Sequence, residues 1–117
     1  MAVEEIRIRC SDGFLLAGTL FKPEKPPAGV VVIASAMGVP KRFYHPFAGF
    51  LSENGLAALT FDYRGVGESE LKGIDGAGVT LHDWGHLDID AALRESSNHF
   101  GELPLYLLGH SCGGQLF

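Results

Sequence analysis

Hydrophobic and polar residues alternate near the N-terminus and then give way to segments that are almost entirely apolar. Residues 4–10 and 14–22 alternate around the turn signal Ser11-Asp12-Gly13, which predicts two strands in an antiparallel hairpin. Three later segments have the continuous apolar character of strands buried on both faces of a parallel sheet. These segments are residues 29–36, 56–63 and 105–108.

Apolar residues at helical spacing predict helices between these strands. The first helix covers residues 44–53 and ends at Asn54-Gly55, and the second covers residues 83–100 and ends at Gly101. The phenylalanines at positions 43, 47 and 50 are expected in the core, a lid-facing role being the alternative. Residues 64–80 form a Gly-rich loop, and residues 113–117 begin a third helix.

This order of elements predicts an α/β fold. Strands and helices that alternate along a chain form a doubly wound, mostly parallel sheet with right-handed crossovers, here behind an N-terminal antiparallel hairpin. We find no repeat and no linker, so residues 1–117 are interpreted as part of a single domain. The strand at residues 105–108 would lie at the edge of this sheet, with an exposed apolar edge through which copies of the chain could associate.

Composition and charge narrow the possible partners. The net charge of −5 argues against nucleic acid or an anionic membrane as the main partner. The longest apolar stretch, residues 29–39, is too short to span a bilayer, and the charged N-terminus does not resemble a signal peptide. Cys10 and Cys112 are interpreted as reduced thiols of a cytoplasmic protein.

The strongest chemical signal is Gly109-His110-Ser111-Cys112-Gly113, which has the form G-x-S-x-G. It follows an apolar strand and opens a helix, the context of a nucleophile elbow, in which a strained turn exposes the serine hydroxyl. Such a serine is expected to have a positive φ, and the two glycines allow the strand and the helix to pass close together. The alternative interpretation is a Gly-rich turn with an incidental serine.

A second segment makes the resemblance to a family plain. The residues from Asp62 to Ser69 read D-Y-R-G-V-G-E-S, and those from Leu108 to Gly114 read L-G-H-S-C-G-G. Both resemble motifs of the α/β-hydrolase superfamily, closest to its esterase, lipase and serine-aminopeptidase-like group. The resemblance covers essentially the whole chain and implies a serine hydrolase with Ser111 as nucleophile. It also implies that Asp62 and Arg64 are structural hydrogen-bond or ion-pair partners.

The resemblance further implies an oxyanion hole. In the family, the loop after the first parallel strand often reads H-G-x-G, and one of its backbone N–H groups supplies half of the hole. This chain has Ser35-Ala36-Met37-Gly38 at that place, a departure in the first two residues. Because a backbone donor needs no particular side chain, position assigns the role to the Met37 N–H, with the Cys112 N–H as the second donor.

The rest of a catalytic triad is not found in this sequence. In the superfamily the chain order is serine, then acid, then histidine, whereas the six residues after Ser111 include no Asp, Glu or His. All five histidines precede the serine, and His110 is expected to point away from it. We therefore expect the chain to be the N-terminal part of a hydrolase, truncated after the elbow and catalytically incomplete.

Other signals are weaker. His82-Asp83-Trp84-Gly85-His86 imitates the zinc motif H-E-x-x-H, but Asp replaces Glu and no third ligand is evident, so a solvated helical turn is expected. Gly65-Val66-Gly67 lacks the third glycine of a dinucleotide loop, because that position is Glu70. Cys112 is interpreted as a packing residue, with a reactive thiol as the alternative.

Two functions from different classes follow from these observations. The favoured one is hydrolysis of a small-molecule carboxylic ester, or less readily an amide, through an acyl-enzyme on Ser111, with no metal and no organic cofactor. The alternative is a non-catalytic α/β interaction module in which Ser111 is vestigial.

Overall fold

A computed structural model describes residues 1–69 and 79–115, except for the side chain of Cys112. Within these residues, five strands form one sheet in the order β1-β2-β4-β3-β5. Each strand begins and ends within a few residues of its predicted bounds. The strands are β1 Ala2–Arg9, β2 Leu15–Lys22, β3 Val30–Ala34, β4 Ala57–Phe61 and β5 Leu105–Gly109.

The sheet is mixed, as the sequence predicts. β1 and β2 form the antiparallel hairpin, with Ala2 opposite Lys22 and Arg9 opposite Leu15. β2 pairs antiparallel with β4, and β3 lies between β4 and β5 and is parallel to both. The parallel block β4-β3-β5 is therefore joined to an antiparallel hairpin on one side, which confirms the predicted fold class.

Helical segments connect the strands of the parallel block. The segment 81–100 begins two residues before its predicted start, because Thr80 and Asp83 form a capping box in which each side chain accepts the other residue's backbone N–H. The helical segments are a 3₁₀ turn Lys41–Tyr44, α1 His45–Glu53, α2 Leu81–Asp83, a π-helical segment Trp84–Ile89, α3 Asp90–Phe100 and α4 Cys112–Gln115. Parts of the predicted Gly-rich loop and of the last predicted helix lie outside the described residues.

Alternate residues of the central strands point into two separate cores. Val32 and Leu59 pack on one side of the sheet with Ala92 of α3, and Ile33 packs on the other side with Ala48 of α1. This arrangement places one helix on each face of the sheet, the layering of a doubly wound fold. Both faces of β3 are thereby covered.

The prediction that the phenylalanines at positions 43, 47 and 50 lie in the core is wrong. The exposed fractions of Phe43, Phe47 and Phe50 are 65%, 43% and 58%. α1 instead turns Ala48 and Ser52, four residues apart, toward the sheet, where they are 0% and 3% exposed. Small residues on this face let the helix axis approach the sheet closely, and the large rings are left on the opposite side.

β5 forms the edge of the sheet, as the sequence predicts. β3 is its sheet neighbour among the described strands, and its apolar side chains are only partly covered. Leu105, Tyr106 and Leu108 are 38%, 55% and 43% exposed. An open edge with apolar side chains is a surface to which a further strand can be added.

Candidate active site

The candidate site lies where β3 and β5 end side by side. Ala34, the last residue of β3, is opposite Gly109, the last residue of β5. The backbone N–H of His110 donates to the carbonyl of Ala34 at 3.1 Å, so the pairing extends into the turn. The segment after β3, residues 35–40, is called the oxyanion loop below, after the role that the sequence analysis predicts for it. It starts beside the elbow of residues 109–113.

Ser111 has the backbone conformation of a nucleophile elbow. Its φ is 54°, and it is the one non-glycine residue with a positive φ in the parts of the chain that the structure describes. β5 ends at Gly109 and α4 begins at Cys112, so the serine lies on the turn between strand and helix. The predicted positive φ is thus confirmed, and the residue is exposed to solvent.

Close packing explains both glycines of the elbow. A Cβ on Gly109 would overlap the backbone of Gly114 in α4. A Cβ on Gly113 would overlap the carbonyl of Ala34 and lie 2.8 Å from the carbonyl oxygen of Ser35. The start of α4 therefore rests directly on the beginning of the oxyanion loop, and any larger residue at position 113 would push the two apart.

The oxyanion loop contains a tight turn. The N–H of Val39 donates to the carbonyl of Ala36 at 3.1 Å, and Gly38 has a φ of +73° at the third position, as a type II turn requires. The N–H of Ala36 is already engaged, donating to the hydroxyl of Tyr44 at 2.8 Å. The N–H of Met37 donates to no acceptor within the described residues.

Ser35, the first residue of the oxyanion loop, is buried. Ser35 is 1% exposed, and its carbonyl accepts a hydrogen bond from the hydroxyl of Tyr63 at 3.2 Å. Its own hydroxyl has no hydrogen-bond partner among the described residues. The backbone of this loop is thus anchored by two tyrosine hydroxyls, those of Tyr63 and Tyr44.

The carboxylate of Asp62 organises the loop that follows β4. Asp62 is 2% exposed. It accepts the backbone N–H of Lys41 at 2.7 Å and that of Glu68 at 3.0 Å. A Cβ on Gly67 would lie only 2.6 Å from this carboxylate, which explains the glycine there. The structural role that the resemblance implied for Asp62 agrees with these contacts.

The buried Arg64 forms ion pairs with a buried aspartate, Asp88, and an exposed one, Asp12. It bonds Asp88 through Nε at 2.8 Å and Asp12 through Nη1 at 2.7 Å, and its guanidinium lies 4.8 Å from the centre of the Phe14 ring. Burial raises the pKa of Asp88, whereas the hydrogen bonds from Arg64 lower the pKa of Asp12. The Cys10 thiol contacts Asp88 at 3.6 Å, and burial raises its pKa to about 11.

The loop that contains Arg64 also fixes the helical segment 81–100. Trp84 stacks on Tyr63 with ring centres 4.5 Å apart, and its indole N–H donates to the carbonyl of Arg64 at 3.3 Å. The π-helical segment brings Trp84 and Asp88 to the loop that follows β4. Sequence reasoning missed Asp88, although an acid beside the apolar face of a helix was an available signal.

Each histidine has a partner other than Ser111. The Nδ1 of His110 lies 2.9 Å from the Tyr44 hydroxyl, so this ring is directed to the oxyanion loop's anchor. His82 and His86 are exposed and stack on each other, which agrees with a solvated helical turn. The remaining partners are Thr60 for His45 and Glu95 for His99.

Comparison with known proteins identifies the family. The profile of the family described as serine aminopeptidase, S33, matches residues 25–117. The chain belongs to this family of α/β hydrolases. The matched range of the S33 family contains the oxyanion loop, the Asp62 loop and the elbow.

Several relatives of this S33 chain are known. A putative monoglyceride lipase of Schizosaccharomyces pombe is 38% identical over 95 residues, and a monoacylglycerol lipase of Mycolicibacterium smegmatis is 31% identical over 104 residues. These alignments cover 80% and 87% of this chain but only 24% and 35% of the two relatives. The chain therefore spans about a quarter to a third of the length of the curated relatives that it matches.

Solved structures agree with the fold. A thermostable carboxyl esterase from Bacillus coagulans superposes with a TM-score of 0.79, at 20% identity, over 99% of this chain and 38% of that one. At this identity the likeness establishes the α/β-hydrolase fold alone. None of the helices in the described part of the S33 chain is long and apolar enough to cross a membrane.

Proposed function

We propose that this chain is the N-terminal part of a single α/β-hydrolase domain that cleaves carboxylic esters, and less readily amides, through an acyl-enzyme on Ser111. The observation that carries the proposal is the positive φ of an exposed serine on a strand-to-helix turn. Backbone strain of this kind persists only where the surrounding structure enforces it, and it is typical of functional sites. Here the enforcing contacts are those of Gly109 and Gly113.

The reaction needs a base, an acid and an oxyanion hole. A base removes the proton from the Ser111 hydroxyl as its oxygen attacks the ester carbonyl, and the carbonyl oxygen becomes an oxyanion. The tetrahedral intermediate collapses, its C–O bond to the alcohol breaks, and the alcohol leaves with the proton. Water then attacks the acyl-enzyme in the same manner and releases the carboxylic acid.

Two backbone amides suit the oxyanion. The N–H of Met37 has no acceptor among the described residues, and the N–H of Cys112 is at the first position of α4, where a helix has no internal acceptor for it. The adjacent ends of β3 and β5 bring the two segments to one place. Donors of this kind stabilise charge that develops only in the transition state.

The histidine base and its acid partner are proposed to follow residue 117. No described hydrogen bond joins a histidine to Ser111, and the order serine, acid, histidine is that of the fold. This mechanism requires no metal and no organic cofactor. The names of the two curated relatives support an ester, and a monoacylglycerol is the first substrate to assay.

A fluorophosphonate probe tests the proposal, because it reacts with an activated serine rather than with a merely exposed one. The full-length protein should be labelled at Ser111 and should hydrolyse a monoacylglycerol. Ser111→Ala should lose the label and lower turnover by several orders of magnitude. An unlabelled wild type without ester turnover would favour the non-catalytic interaction module instead, whereas unchanged turnover in Ser111→Ala would refute Ser111 as the nucleophile.

A further inference from the structure

Tyr44 lies between the two segments that carry the proposed oxyanion donors. It ends the 3₁₀ turn before α1 and is 8% exposed. Its hydroxyl oxygen lies 2.8 Å from the N of Ala36 in the oxyanion loop and 2.9 Å from Nδ1 of His110 in the elbow. One side-chain oxygen therefore contacts both segments.

The directions of these hydrogen bonds follow from the groups involved. A backbone N–H can only donate, so the Tyr44 oxygen accepts from Ala36. The hydroxyl proton is then available for His110, whose Nδ1 accepts it when the neutral ring carries its proton on Nε2. The Tyr44 and His110 rings meet edge to face, with centres 5.8 Å apart, which fixes the orientation of both.

We propose that Tyr44 is a positioning residue for the oxyanion hole, an inference that rests on the proposed function of Ser111. Ala36 directly precedes Met37, and His110 is two residues before Cys112. By bonding Ala36 and His110 through one atom, Tyr44 sets the separation of the Met37 and Cys112 amides. The Ala36 bond also turns that residue's own N–H away from the role of donor.

Loss of the two hydrogen bonds of the Tyr44 hydroxyl is expected to affect turnover rather than substrate binding. Oxyanion-hole donors act on the transition state, and removing one entirely costs about 10²–10³-fold in kcat. Tyr44→Phe retains the aromatic ring and leaves the Met37 and Cys112 N–H groups in place, but it no longer fixes the distance between them. We therefore expect a smaller loss in kcat, roughly tenfold. The KM should stay within about twofold, since ground-state contacts are unchanged.

The test uses the full-length protein with ester and thionoester versions of one substrate. A thiolate-like sulfur accepts hydrogen bonds poorly, so a thionoester draws little benefit from the hole. Tyr44→Phe should therefore slow the ester more than the thionoester. Tyr106→Phe, which removes a hydroxyl that makes no described hydrogen bond to the oxyanion loop or the elbow, serves as the matched control and should change neither rate.

A second pair of variants changes the hydrogen bond between Tyr44 and His110 at the histidine. In His110→Asn the side-chain oxygen replaces Nδ1 as acceptor, whereas His110→Leu offers none. We expect His110→Asn to retain more ester turnover than His110→Leu, and this comparison decides the matter if Tyr44→Phe fails to fold. Equal rates in that pair, or wild-type ester turnover in Tyr44→Phe, would overturn the inference.

The two proposals fail in different ways. If wild-type protein is not labelled at Ser111 by the fluorophosphonate, the proposed function itself fails. If wild type is labelled but Tyr44→Phe slows ester and thionoester equally, the serine hydrolase stands and Tyr44 is only a packing residue.

Discussion

Asp88 accepts two hydrogen bonds from Arg64, one from its backbone N–H at 2.9 Å and one from Nε at 2.8 Å. The aspartate is 0% exposed and the arginine 7%. This pair joins the loop after β4 to the helical segment on one face of the sheet. The buried charge of Asp88 is compensated by Arg64, whereas Arg64 is compensated by both Asp88 and Asp12.

We expect Asp88→Ala to destabilise the full-length protein by about 2–4 kcal/mol, somewhat less than a buried ion pair broken outright, because Arg64 keeps Asp12 as a partner. The matched control is Asp90→Ala two residues later, which breaks an exposed pair with Arg94 in which both side chains are 53% exposed. That loss should be below about 0.5 kcal/mol. Denaturant unfolding measures both, and equal losses would show that the Asp88 pair is not a structural centre.

Asp12 gives a pH dependence of known sign. Its pKa is lowered from 3.8, chiefly by the hydrogen bonds from Arg64, so the unfolded chain binds this proton more readily than the folded chain does. The stability that Asp12 contributes is therefore present above pH 3.8 and is lost as the pH falls through the lowered pKa. In Asp12→Asn, the free energy of unfolding should fall less steeply as the pH is lowered from about pH 5. An unchanged slope in that variant would contradict this assignment.

A methyl group at position 113 should disrupt the elbow. In Gly113→Ala the new Cβ overlaps the carbonyl of Ala34, and backbone atoms cannot move aside cheaply. We expect the full-length variant to lose fluorophosphonate labelling of Ser111 and to be less stable. Gly49→Ala in α1 is the control, because a Cβ there meets nothing within 4 Å and replaces a helical glycine. It should gain about 0.5–1 kcal/mol and label normally.

The 117-residue chain alone is expected to self-associate through β5 and to show no ordinary ester turnover. Tyr106→Lys places a charge on this apolar edge and should shift the chain toward monomer in light scattering. Val3→Lys on β1, the opposite edge of the sheet, is the control, since Val3 is 54% exposed and that strand already carries charged side chains. A stable monomer with esterase activity would contradict the prediction.

The parts of the molecule that local sequence determines were predictable. The φ of Ser111 followed from G-x-S-x-G between a strand and a helix, because the constraint acts within a few residues. The exposed edge at β5 followed from the order of strands and helices. The helix start at Leu81 was missed although its signal, a threonine three residues before an aspartate, was present at Thr80.

Other features depend on distant residues. Helical spacing indicates that Phe47 and Phe50 share one side of α1, but not that Ala48 and Ser52 are the residues that meet the sheet. The contact between Tyr44 and His110 joins positions 66 residues apart, and nothing near either residue specifies it. Such contacts are set by how the elements pack, which a single sequence pattern does not encode.

The pairing of Ala34 with Gly109 has a consequence for the order of assembly. Among the described strands, β3 and β5 are the paired strands farthest apart along the chain. Bringing them together lowers the entropy of the chain before the contacts between them can compensate. The hairpin and the β3–β4 pair can form without it, whereas the turn at Ser111 cannot be strained until β5 has docked. We therefore expect the turn at Ser111 to form late in folding, so that a nascent or partly unfolded chain carries only an ordinary serine at this position.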